Sequence, residues 1–149
     1  AGRAVARPYE YMTLNPNHWQ IRLPTEREWQ WAAQGGAQVR EYPWGDWQPG
    51  YANTSEAGLG RAIAVGMYPH GAAECGALDA AGNLFEWCLN DLSNVAQISI
   101  SNNEEKVLRG GSFYHIQSYA RAAYRNSHLP NDWDYDYGLR LVVSAPMRL

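Results

Sequence analysis

Apolar positions recur with a helical period once along this chain, over Thr25 to Gln34, where Trp29, Ala32 and Ala33 fall on one face. Thr25 followed three residues later by Glu28 forms a capping box, in which hydroxyl and carboxylate each take a backbone N–H at the helix start. Gly35-Gly36 then ends the helix, because glycine accepts the left-handed cap without a steric penalty. A short strand is predicted over Leu84 to Leu89. The β-branched and apolar content of Lys106 to Gly110 and Leu139 to Ser144 predicts two more. Residues 1–20, interrupted by Pro8 and Pro16, predict loop with at most one short helical turn. From Tyr42 to Gly76 neither period persists. That stretch is rich in aromatic residues, which disordered segments lack, so it predicts ordered loop. Asn90 to Glu105 reads as a linker.

Composition narrows the picture. A chain of 149 residues predicts one domain, 1–149. Such a chain buries roughly 70% of its extended surface and needs no staples. A net charge of −3 argues against nucleic acid as a partner, since nucleic-acid binders usually carry a basic face. No apolar run is long enough to span a membrane and no leader pattern opens the chain. Membrane insertion is therefore not expected. With no leader or anchor in view the expectation leans to the cytoplasm, and the location is otherwise open. The start at Ala1, without an initiator Met, is compatible with further domains N-terminal to it. Cys75 and Cys88 lack the spacing of a metal finger and read as two buried free thiols, with one disulfide as the alternative. Seven Trp and ten Tyr against two Phe favour rings that carry a polar handle, some for the core, as Trp29 and Trp87, and some for the surface.

The richest segment runs from Arg109 to Val142. Scaffold-like stretches (Arg109 to Ser112, Ala120 to Arg125, Tyr137 to Val142) alternate with Tyr114, His115, Ile116, Ser118 and Tyr119, then Asn126, Ser127, His128 and Leu129, then Asp132, Trp133, Asp134, Tyr135 and Asp136. Tyr, His, Ile, Ser, Asp, Leu and Asn are all reached from the asparagine codon AAC by replacing only its adenines. Trp133 follows the same rule from the arginine codon AGG. Packing does not select residues that way, whereas adenine-directed mutagenesis does. The alternative is a polar, aromatic loop that fits the rule by chance. In scaffold and in mutable positions the segment resembles the variable region, here 109–142, of the diversity-generating retroelement variable proteins.

Four motifs extend the likeness. Leu23 to Trp29, Tyr42 to Asp46, Gly82 to Trp87 and Arg109 to Ser112 occur in this order. Together they resemble the formylglycine-generating enzyme (sulfatase-modifying factor) family over about residues 21–144. The resemblance implies an α+β, loop-rich C-type lectin fold of that family's type, with a small antiparallel sheet and a shortened N-terminal portion. The family's enzymes carry two reactive cysteines after the Gly-Gly-Ser motif. The matching positions here are His115 and Ala122, and no cysteine follows Cys88. Neither replaces a thiolate as nucleophile or copper ligand. The histidine cluster of an iron-dependent relative is not matched by His18, His70, His115 and His128.

The resemblance thus implies a binding protein that requires no cofactor, displays the mutable side chains, and meets a macromolecular ligand, expected to be protein. A catalytically altered enzyme lacking the active-site cysteines is the alternative. Tyr and Trp supply rigid contact area, while Ser, Asn and Asp supply adaptable hydrogen bonds. Trp133, Tyr135, Tyr114 and Tyr119 are the expected anchors, with Tyr119 the one most suited to the core instead. Arg121, Arg125 and Arg140 are expected to hold loop carbonyls. The resemblance also implies a structural calcium ion on Asp79, Gly82, Leu84 and Glu86, with a second site around Asn53 and Thr54. The alternative for Glu86 is a buried carboxylate paired with a scaffold arginine. The run Asp132, Asp134, Asp136 lacks the glycine and terminal glutamate of a calcium loop and reads as solvated loop.

Overall fold

The computed structural model describes residues 19–98 and 103–145. The chain divides into two compact units. One contains β1 (Gln20–Arg22) and the C-terminal strand Val142–Ser144, the other spans Leu23–Arg140. In the first unit the two strands pair antiparallel, with Ile21 opposite Val143.

The second unit begins with α1 (Glu26–Ala33). Its N-cap is Thr25, whose side chain accepts from Glu28 N while the Glu28 carboxylate accepts from Thr25 N at 2.8 Å, the capping box the sequence predicts. The buried face is Glu26, Trp29 and Ala33; Ala32 is only half-buried. The polypeptide then runs through the aromatic loop of residues 42–76. Tyr42, Trp44, Trp47 and Tyr51 pack together with centroids 5.0–5.8 Å apart, Tyr42 stacked on Trp44 and the other pairs tilted or edge-on. Those rings keep a segment with little regular hydrogen bonding in one conformation, as expected from its composition.

The main sheet has four strands: β2 (Phe85–Asp91), β3 (Lys106–Arg109), β4 (Asn126–His128) and β5 (Tyr137–Gly138), in the order β4-β3-β2-β5. β3 pairs antiparallel with both β2 and β4. The expected all-antiparallel sheet is corrected at its edge, where β5 lies parallel to β2, with Phe85 opposite Tyr137 and Glu86 opposite Gly138. The expected strand 139–144 is shortened to β6 (Val142–Ser144), and β5 precedes it at residues outside that expectation. Close packing of Gly138 against the Leu84 side chain accompanies the position of β5. A Cβ on Gly138 would stand 2.9 Å from Leu84 Cδ1, so a larger residue there would make the Leu84 side chain shift.

Trp29, Ala33, Ala80, Cys88, Val107 and Ala122 form one core cluster between helix and sheet, and Tyr42, Ala52, Ala81 and Ala120 form a second. Trp87 was expected behind the sheet. It is half-buried instead, edge-on to Tyr137 at 5.7 Å. Cys88 is buried as expected, but Cys75 is exposed, and both thiols are free. The loop reading for residues 1–18 lies outside the described residues.

Candidate functional site

The segment after β3 is irregular, so its shape depends on a few bonds to the scaffold. Gly110 and Gly111 both have positive φ, at 93° and 70°. A Cβ on Gly111 would lie 2.9 Å from Ala120 N, so only glycine lets the chain turn against the short 3-10 turn Gln117–Ala120. Gly110 O accepts from Gly82 N at 2.7 Å, and Phe113 N donates to Asn83 O at 3.0 Å, tying two of the four motifs together. Asn83 adopts φ 67° and its Oδ1 accepts from Ile63 N and Asn53 Nδ2, which fixes the turn before β2.

Arginines fasten the rest. Arg109 is fully buried. Its Nη1 donates to Glu26 Oε1 at 3.0 Å, its Nη2 to Ala122 O at 2.5 Å and Gln30 Oε1 at 2.9 Å. Arg125 donates to both Glu26 oxygens, at 2.5 and 2.9 Å. Arg140 donates to both Glu86 oxygens and to Leu78 O. Arg121 donates to Ser118 O. The sequence reading assigned Arg121, Arg125 and Arg140 to carbonyls. For Arg125 and Arg140 the main partners are carboxylates, and the most buried arginine among the described residues is Arg109, which carries no sequence expectation. The available signal was Glu26, an acid on the inner face of a capped helix, which needs a cation partner.

The mutable positions sort clearly by burial. Tyr114, Ile116, Leu129, Asp132, Trp133, Asp134 and Tyr135 are exposed, Trp133 at 89%. His115, Ser118, Tyr119, Asn126, Ser127 and His128 are half-buried, the last three as the edge strand β4. Asp136 alone is buried, at 4%. Its Oδ2 accepts from Ser112 Oγ at 2.6 Å and faces His115 Nδ1 at 3.4 Å. Ser112 Oγ also lies 2.8 Å from that same Nδ1. Serine and carboxylate share one ring nitrogen and Ser112 is fully buried, so the trio is not a nucleophile–base–acid relay.

Two groups of side chains come together. In the first, Tyr135, Tyr114, His115, Tyr119 and Tyr124 form a continuous row, each ring 4.8–5.9 Å from the next, backed by Phe113 and Phe85. Tyr119 is thus a half-buried link in the row and not a core ring. In the second, His128, Trp133 and Asp132 gather beside Tyr137.

The calcium ligands implied at residues 79–86 are placed differently. Glu86 Oε2 accepts from Trp29 Nε1 at 2.6 Å and from Arg140 Nε, and Oε1 from Arg140 Nη2. The paired-carboxylate alternative for Glu86 therefore holds. Asp79 Oδ2 accepts from Gly66 N at 2.6 Å. A dication on Glu86 would have to displace a guanidinium, so this donor set does not fit calcium. Around the second site, Asn53 Oδ1 is buried with no partner among the described residues, while Thr54 O accepts from Ala57 N. Among the described residues no group of three or more His, Cys, Asp or Glu could hold a metal ion. No described helix is long and apolar enough to cross a membrane.

A helix on a curled, loop-dominated sheet, with the segment after β3 held by glycine turns and by Arg109, Arg125 and Arg140, defines a C-type lectin fold of the formylglycine-generating type. The chain belongs to the sulfatase-modifying factor enzyme 1-like domain family, whose match covers residues 4–145. It is 34% identical over 152 residues to the formylglycine-generating enzyme of Streptomyces coelicolor, covering 85% of this chain and 48% of that protein. It is 34% identical over 145 residues to the hercynine oxygenase of Mycobacterium tuberculosis, covering 86% of this chain and 32% of that one. Among solved structures, Treponema denticola variable protein 1 superposes with a TM-score of 0.70 at 28% identity, over 85% of this chain and 48% of that one. The chain spans about half the length of the first of these relatives and a third of the second.

Proposed function

We propose that this domain is a non-catalytic ligand-binding protein whose contact surface is diversified by a retroelement. One observation carries the reading. Within 109–142 the interleaved scaffold residues Arg109, Ser112, Ala120 and Ala122 are 0–1% exposed, while thirteen of the fourteen mutable positions reach the surface to some degree. The codon rule is independent of burial, and the two agree at these positions, while Arg121, Ala123, Arg125, Leu139 and Leu141 of the scaffold-like stretches are exposed as well. The likeness to Treponema denticola variable protein 1 supports the same reading. The ligand is macromolecular, and protein fits best, because the exposed Tyr114, Tyr135 and Trp133 supply rigid rings and Asp132 and Asp134 supply hydrogen-bond acceptors, as in a paratope.

Family relatives include enzymes, so catalysis needs its own argument. At the two positions where the resemblance puts reactive cysteines, Ala122 is buried in the core and His115 is turned to Ser112 and Asp136. Neither offers a thiolate. Incubating the protein with a cysteine-containing sulfatase peptide under oxygen, with copper, should give no aldehyde by mass spectrometry. Turnover would install the altered-enzyme alternative. The deciding experiment for diversification is to sequence the DNA flanking the gene. A near-copy of the segment encoding residues 109–142, differing only at adenines and lying beside a reverse transcriptase gene, is the expected result. Without such a copy the diversified reading falls.

A further inference from the structure

The aromatic row accounts for Tyr114, His115, Tyr119 and Tyr135. It does not account for the second group. His128 at the end of β4, Asn131, Asp132, Trp133, Asp134 and Tyr137 line an open cleft of about 370 Å³. The walls are planar. The Tyr137 ring packs against His128 at 4.9 Å and edge-on to Trp87 at 5.7 Å, which fixes it. The Trp133 ring is 89% exposed and has no ring partner among the described residues.

The electrostatics of the cleft are one-sided. No lysine or arginine lines it. Each carboxylate is engaged through one oxygen only among the described residues. Asp132 Oδ2 accepts from Leu129 N at 3.3 Å and faces His128 Nδ1 at 3.6 Å. Asp134 Oδ1 accepts from Tyr135 N at 2.7 Å. The other oxygen of each is open to a donor. The field is felt at the wall: burial, and then the charges of Asp136, Asp134 and Asp132, push the Tyr137 phenol up to about 12. An anionic group is repelled by such a lining, and a neutral one gains only ring contact and uncharged hydrogen bonds. A cation gains from the carboxylates and from the ring faces together, and a planar guanidinium suits both, by stacking and by two-point hydrogen bonding.

We infer that this cleft is a subsite for an arginine side chain of the protein ligand, with Trp133 and Tyr137 as its walls and Asp132 and Asp134 as its counter-charges. The inference rests on the reading of this surface as a binding face, and it specifies the chemistry of one contact. Trp133 is unpacked in the free domain because its partner face belongs to the ligand. Closing the ring on a guanidinium removes apolar area from water at the moment the charges meet.

The test uses the whole domain and a capped arginine, N-acetyl-arginine methylamide, followed at the Trp133 indole by NMR, with the citrulline and lysine analogues as controls. The arginine probe should shift the indole saturably, with a Kd of about 1–10 mM, as a single contact allows. Citrulline has the shape without the charge and should bind at least about tenfold more weakly. Asp132→Asn combined with Asp134→Asn should abolish the shift while leaving the rest of the spectrum in place. Equal shifts from arginine and citrulline, or none by about 50 mM, overturn the inference. Lysine binding as tightly as arginine overturns the assignment to a guanidinium. Failure here is separable from failure of the diversified-surface reading. A template copy in the flanking DNA with no arginine response sinks only the subsite, whereas an arginine response without a template copy leaves a fixed cation-binding subsite.

Discussion

Arg140 closes a two-point contact on Glu86, Nε to Oε2 at 2.9 Å and Nη2 to Oε1 at 2.8 Å, while Trp29 Nε1 reaches the same Oε2 at 2.6 Å. One carboxylate thereby joins the end of the mutable segment, the second strand and the helix. Burial alone would lower the Arg140 pKa, and the Glu86 carboxylate more than offsets it, holding the guanidinium above its ordinary value. Glu86→Gln leaves that cation with a neutral partner in a mostly buried setting. The expected cost is about 3 kcal/mol, read as a drop in the urea midpoint. A loss under about 1 kcal/mol would give the pair the weight of a surface ion pair.

The same geometry bears on calcium. Because Arg140 already neutralises Glu86, melting followed by calorimetry should be unchanged by EDTA and by millimolar calcium. A ligand that binds only the folded state must raise the melting temperature. A rise with calcium would therefore mean that the ion enters, with Glu86 released from Arg140 or with the orphaned Asn53 Oδ1 as its acceptor.

Asp136 obeys the codon rule yet sits inside, accepting from Ser112 Oγ. Asp136→Ala should cost about 1–3 kcal/mol, because the buried hydroxyl loses its acceptor. Asp134→Ala, at the surface, should stay within about 0.5 kcal/mol. Equal small effects in urea denaturation would return Asp136 to the contact surface.

The helix was legible because local signals settle it: Thr25 and Glu28 need only each other, and Gly35 ends the run without tertiary help. The ordered loop was legible from its ring content. β4 was not, since Asn126-Ser127-His128 carries no strand propensity and is a strand only because Lys106 to Leu108 offers an edge. β5 was missed for the same reason, being two residues, with Gly138 packed against Leu84. The codon arithmetic nominates the mutable positions without reference to the fold, and the flanking DNA is what tests it. The depth of Asp136 and the pairing of Glu26 with two arginines are long-range facts: Arg109 lies 83 residues from its partner, and no local pattern encodes that distance.

The two thiols should separate cleanly. Cys75 is exposed and Cys88 is buried among Trp29, Val107 and Ala122. Burial pushes the Cys88 thiol well up, with Arg109 only partly opposing. A raised thiol pKa keeps the neutral, unreactive form through the neutral and mildly alkaline range. Iodoacetamide at pH 8 should add one label to the native protein, at Cys75, and two after unfolding in urea. Native labelling at Cys88 would mean that the core opens readily.

Trp133 offers the sharpest division between binding and folding. At 89% exposure it contributes little to the core, so Trp133→Ala should move stability by no more than about 0.5 kcal/mol. A ring of that size, free in the domain and flanked by Asp132 and Asp134, has the features of an interface anchor, and removing such an anchor typically costs about 2 kcal/mol or more of binding energy. Against a protein ligand selected on this domain from a display library, affinity should fall by roughly thirtyfold or more. The paired readouts are calorimetric melting and surface-plasmon affinity on the same two proteins. If melting drops while affinity holds, Trp133 belongs to the scaffold and the ligand uses the Tyr114–Tyr135 side of the face instead.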